Sequence, residues 1–159
     1  MRLNRKNVIA GTVGTLLLGT IMPGASASPP TNLHTTSLAT GTLDQPLQVK
    51  NDGIRLRSKA ATDIRVQTIT FPAGGGKTGW HHHPGLVVVV VESGAVTVWE
   101  TDCTSTTYGP KEAAGAVFTE GGDESQEVTS SGGRVYATFV VPHADPAVFR
   151  IEDPARSCT

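Results

Sequence analysis

Six consecutive apolar residues, Leu86 to Val91, five of them valine, leave little choice other than a β-strand. β-Branched side chains lose freedom in a helix and pack well on a pleated surface. The unbroken apolar character predicts a strand covered on both faces. Before it, across Pro84-Gly85, stand His81, His82 and His83, and immediately after it the turn residues Glu92-Ser93-Gly94. Side chains alternate across a strand, so His81 and His83 share a face with Val87, Val89 and Val91, while His82 points to the other. If the shared face lines a barrel, the two histidines form a polar pair at the mouth of an apolar interior.

The rest of the chain repeats this β-rich pattern in short pieces. Ile64 to Phe71 alternates, with Ile64, Val66 and Thr68 opposite Arg65 and Gln67; the pattern breaks near Ile69 and Phe71, which predicts a bulge or burial on both sides. Ala95 to Glu100 is expected to form a hairpin with the valine strand across Ser93-Gly94. Thr104 to Tyr108, Ala116 to Thr119, Glu127 to Thr129 and Arg134 to Val141 read as further strands between Gly/Pro turns. Leu47 to Val49 and Ile54 to Arg57 flank an Asn51-Asp52-Gly53 turn. No segment beyond the first 27 residues sustains a helical period, so the expected class is all-β, a single barrel or sandwich.

The N-terminus has a different character. Arg2, Arg5 and Lys6 precede an apolar run from Val8 to Ile21, and Ala25-Ser26-Ala27 supplies a small-residue cleavage site. Together they predict a secretory signal peptide over residues 1–27. The alternative is an uncleaved anchor, against which the run is short and rich in Gly and Thr beside the roughly 20 residues of a membrane span. Ser28 to Gln45 is rich in Pro, Thr and Ser and is expected to be a flexible tail, partly disordered or draped over a barrel domain spanning residues 46–159. Removing residues 1–27 leaves 10 basic against 14 acidic residues, a net charge of −4, with Lys and Arg scattered singly. That excludes a nucleic-acid interface. Two cysteines in an exported chain, Cys103 and Cys158, read as one disulfide, with free thiols or a redox pair as the alternatives. Gly74-Gly75-Gly76-Lys77-Thr78 lacks the spacer of a phosphate-binding loop and opens no helix.

The histidine stretch resembles the first motif of the cupin superfamily: glycine, five residues, His-x-His, three or four residues, glutamate, six residues, glycine. Gly75, His81, His83 and Gly94 occupy their places, and Val87 stands where the glutamate belongs. The second motif fits in spacing from Gly115 but differs in composition. Gly121, Asp123, Gln126 and Ser130 stand for its proline, glycine, histidine and asparagine. With Thr78-Gly79-Trp80 and Pro84-Gly85, the segment is similar to small secreted bacterial single-domain cupins, over roughly Ile64 to Pro142.

The resemblance implies a cupin-type jelly-roll β-barrel whose pocket holds a divalent metal, Fe, Mn, Ni, Cu or Zn, on His81 and His83. Two of the four usual ligand positions are replaced. Gln126 offers a carbonyl oxygen from the place of the missing histidine, and Glu120, Asp123, Glu124 and Glu127 lie in the same region. Without a metal the two histidines would be polar lining of the pocket. Trp80, Val87 and Val89 are the candidate pocket residues, with Trp80 beside His81 placed to touch a ligand. Two functions follow. One is a secreted, non-catalytic barrel binding a small ligand, a sugar or a metal; the other is a metal-dependent dioxygenase, isomerase or lyase acting on a small organic molecule. A small-molecule ligand or substrate is the expected partner, with no membrane anchor after cleavage and a homodimer open as an assembly.

Overall fold

The computed structural model describes residues 26–109 and 115–158. Of the expected signal peptide only Ser26 and Ala27 fall among them; the rest lies outside the described residues. Among the described residues there are strands and no helix, and none is therefore a helix long and apolar enough to cross a membrane. The large sheet runs in the order β1 (His34–Leu43), β4 (Thr62–Phe71), β12 (Gly133–Pro142), β7 (Leu86–Gly94), β10 (Val117–Glu120). The smaller one is β5 (Gly76–Lys77), β11 (Glu127–Ser130), β8 (Val96–Trp99), β9 (Ser105–Tyr108). Two short pairs complete the set, β2 (Gln48–Asn51) with β3 (Ile54–Arg57), and β6 (His81–His82) with β13 (Ile151–Glu152). The inner faces of the two main sheets share one core, with Val87, Val89, Val135, Ala137 and Phe139 from one and Val96, Val98 and Val128 from the other.

The valine strand departs from expectation on one face. Val87, Val89 and Val91 are buried, whereas Val90 is 42% exposed and pairs across the sheet with Val117, itself 52% exposed. Only one side of this sheet is covered, and the strand is apolar on its solvent side as well.

The hairpin expected across Ser93-Gly94 is not formed. Ala95 to Glu100 leaves the valine strand's sheet, and β8 pairs with β9 and β11 instead. Gly94, at φ 70°, makes that change of sheet, and a Cβ there would run into the Gly132 carbonyl. Only glycine combines this left-handed backbone with so close an approach.

β4 carries no bulge. It runs in unbroken register with β12 from Thr62 to Phe71, and Arg65, Gln67, Ile69 and Phe71 all face the interior. The expected break in alternation is therefore no break: Ile69 and Phe71 continue the inward face of Arg65 and Gln67, and Ile64, Val66 and Thr68 on the opposite face are half-buried. The segment read as a flexible tail is draped over the domain as a strand: His34–Leu43 pairs antiparallel with β4, shifting register between Ser37 and Ala39. Every residue of β1 is exposed, so backbone hydrogen bonds to β4 rather than a buried face hold it. The β2–β3 hairpin forms as expected around Asp52-Gly53, with Gly53 at φ 76°.

Cys103 and Cys158 are bonded, closing a separation of 55 residues. The bond anchors a C-terminal strap that folds back over the histidine stretch. Within it, Ile151 and Glu152 pair with His82 and His81, and the Asp153 amide donates to the Trp80 carbonyl at 2.9 Å.

Candidate metal centre

The extended backbone from His81 to His83 does what alternation requires. His81 and His83 turn inward and are 4% and 3% exposed, with ring centroids 4.8 Å apart. His82 turns outward, with Nδ1 within 3.0 Å of both Asp153 carboxylate oxygens. The buried Glu120 carboxylate joins the inward pair, and one ligand atom from each of the three residues falls within 4.8 Å of the others.

Carbonyl partners fix the tautomers of both rings. A carbonyl only accepts, so His81 Nδ1 must donate to the Gly79 oxygen at 2.8 Å and His83 Nδ1 to the Phe149 oxygen at 2.6 Å. Both rings are thereby left with Nε2 for a ligand, and this carbonyl-to-Nδ1 support is the usual orientation device of metal-bound imidazoles. His83 Nε2 stands 3.1 Å from Glu120 Oε2. With Nδ1–H already committed, that contact needs a shared proton, and a divalent cation bound by both groups would take the proton's place.

Burial pushes the His81 imidazole down to about 4; the Arg150 guanidinium adds to the effect and the Glu120 carboxylate opposes it. His81 is therefore neutral at pH 7, as a ligand must be. In metal-stripped protein the folded state binds this proton less readily than the unfolded chain, whose histidine titrates near 6.5. Stability is then complete above pH 6.5 and falls as pH drops toward 4, by about 3 kcal/mol. Urea unfolding at pH 7 and pH 4.5 checks this, and His81→Gln should remove much of the difference.

The remaining candidates separate. Val89 lines the cavity in front of the triad, while Val87 is fully buried in the core and Trp80 does not reach the cavity. Trp80 has opposite parity to His81; it is 1% exposed and its Nε1 donates to the Arg156 carbonyl at 3.2 Å under the strap. Gln126 is backbone-paired with His81, but its amide nitrogen donates to Glu100 at 3.1 Å and its side chain does not line this cavity. The third group that the fold brings beside His81 and His83 is the carboxylate of Glu120. Its strand neighbour explains why: Glu120 on β10 lies directly opposite Val87 on β7. Directly opposed residues share a face, so the carboxylate absent from the motif position arrives from the adjacent strand. His143, after the last long strand, is half exposed and donates from Nδ1 to the buried Asp63 at 2.8 Å. This bond holds the Asp63 carboxyl below its usual range and raises the imidazole.

The triad opens into a cavity of about 320 Å³ walled mainly by Val89, Phe118, Val135, Ala137, Phe139 and Phe149. A cupin-like protein from Thermotoga maritima superposes with a TM-score of 0.50 at 13% identity, over 86% of this chain and 90% of that one. This chain has the cupin fold. A cupin domain from Bordetella pertussis aligns with a TM-score of 0.43 at 19% identity, covering 75% of this chain and 99% of its own. A conserved Streptococcus pyogenes protein of unknown function gives 0.47 at 14% identity, over 70% and 76%. No protein-family model matches the sequence, and no curated protein does. In this cupin barrel the triad occupies the pocket end that the sequence motif marks.

Proposed function

We propose that the mature chain is an exported cupin barrel that binds one divalent transition metal on His81, His83 and Glu120 and presents it to a small organic ligand. The observation that carries this reading is the convergence of two imidazoles and one carboxylate, each buried, with both Nδ1 atoms already occupied by carbonyls. Neutral imidazoles with a carboxylate suit Fe, Mn, Ni, Cu or Zn. The disulfide supports export, since such bonds persist in oxidising compartments.

When bound, such an ion supplies a Lewis acid or an oxygen-binding centre. The chain's own residues orient the donors through Gly79 and Phe149, and the aromatic wall of Phe118, Phe139 and Phe149 keeps water away from them. A second reading, a metal-dependent dioxygenase, isomerase or lyase, is favoured by one feature. Three protein donors leave coordination positions open toward the cavity, as catalytic sites do and closed structural sites do not.

Elemental analysis of mature protein from its native source, beside the His81→Ala/His83→Ala variant, tests the proposal. About one equivalent of one of these metals is expected in the wild type and close to none in the variant. A metal-free wild type that takes up no added metal would leave only a ligand-binding barrel. Turnover of a substrate by the loaded protein, lost with the metal, would decide for the enzyme.

A further inference from the structure

Besides the histidines, four charged side chains line the cavity: Arg65, Glu120, Arg150 and Glu152. Three of them are compensated. Glu120 faces His83, while Arg150 grips Glu152 through Nε at 2.7 Å and Nη2 at 2.8 Å and donates from Nη2 to the Thr78 carbonyl. Arg65 is left over. Among the described residues it makes no ion pair and no side-chain hydrogen bond, and its Nε is buried without a partner. Its guanidinium lies 3.8 Å from the centroid of the Phe149 ring, a contact that offsets only part of the desolvation.

Arg65 comes from an inward position of β4, opposite Phe139 on β12 and in line with Gln67, Ile69 and Phe71. Arg65 is half-buried, and with no carboxylate beside it on the cavity face of an internal strand its guanidinium is free to meet an anion. Phe149 ties this position to the triad: its ring lies under Arg65 and its carbonyl holds His83.

We propose that Arg65 binds the carboxylate of a small organic acid whose apolar body lies along Phe149 and Phe139 and whose far end faces His83 and Glu120. The proposal rests on the reading above, that the cavity holds a ligand in front of the triad. A single negative charge is indicated, because only one guanidinium in the cavity is left uncompensated. A carboxylate fits the guanidinium fork in a planar, two-pronged bond. A cavity of about 320 Å³ lies at the small end of ligand pockets and restricts the acid to a compact one.

Calorimetric titration of the mature protein, both metal-stripped and loaded with Mn or Zn, tests this with benzoate, 3-phenylpropionate and hexanoate against their primary amides. At least one acid should bind, with its amide weaker by about tenfold or more. Arg65→Gln should weaken the acid by about 10- to 100-fold and leave the amide unchanged, with Arg65→Lys between the two. The anion subsite is overturned if no acid binds, if acid and amide bind equally, or if folded Arg65→Gln binds the acid as the wild type does. Should Arg65→Gln not fold, the acid–amide comparison on wild type decides alone. Stoichiometric metal uptake without acid preference overturns the subsite and leaves the metal reading standing. Acid preference without metal uptake does the reverse.

Discussion

Glu120→Gln is expected to lower the affinity for a first-row divalent metal by about 30- to several-thousand-fold, with the barrel still folded. Removing one member of a buried charged contact typically costs about 2–5 kcal/mol, at about 1.4 kcal/mol per tenfold in affinity. Glutamine keeps the shape of the side chain and one carbonyl oxygen but removes the only anionic ligand of the triad. Two imidazoles would then hold an ion that stays largely hydrated. Competition titration against a chelator, with a circular dichroism spectrum to confirm the fold, reads the result. Unchanged affinity would mean that the Glu120 carboxylate merely bonds to His83. The parallel change at Gln126 should have a small effect, because its amide is engaged with Glu100.

Removing the disulfide should have the largest effect on stability. Cys103→Ser/Cys158→Ser frees a loop of 55 residues, worth about 4 kcal/mol in the chain-entropy account. For a domain of this size that corresponds to a fall in Tm of about 15 °C. The loss should reach the metal centre, because the strap it anchors supports the histidine stretch at each step. Phe149 orients His83, Asp153 holds His82, and the Arg156 carbonyl takes the Trp80 indole proton. Metal affinity is therefore expected to fall with stability, and thermal scans and metal titrations on the same double variant check both. A lowered Tm with full metal affinity would show that the strap stabilises the barrel without shaping the site.

Where sequence reasoning succeeded, the deciding physics was local or covalent. The period of two placed His81 and His83 inward and His82 outward, and an even cysteine count behind an expected signal peptide paired Cys103 with Cys158. Where it failed, the missing information was which strand lies beside which. Glu120 was one of four acidic candidates, and only the β7–β10 register, with Glu120 opposite Val87, singles it out. The same gap hid the change of sheet at Gly94, where a turn signal looks the same for a hairpin and for a crossing. β1 was unreadable for another reason. Its Thr-, Ser- and Ala-rich face buries nothing, and it exists through backbone bonds to a partner that local composition does not reveal. On β4 the usual expectation of polar side chains facing water is inverted, since Arg65 and Gln67 face a cavity.

The most direct test of the metal centre is X-ray absorption at the metal edge of the loaded mature protein. Two imidazole nitrogens at about 2.0–2.1 Å and carboxylate oxygen at about 2.0–2.2 Å, the distances of zinc, are expected in the zinc-loaded form. The imidazole scattering should disappear in His81→Ala/His83→Ala, with one oxygen ligand altered in Glu120→Gln. A shell of oxygen alone, or a spectrum identical in the wild type and the double histidine variant, would contradict a metal held by His81, His83 and Glu120.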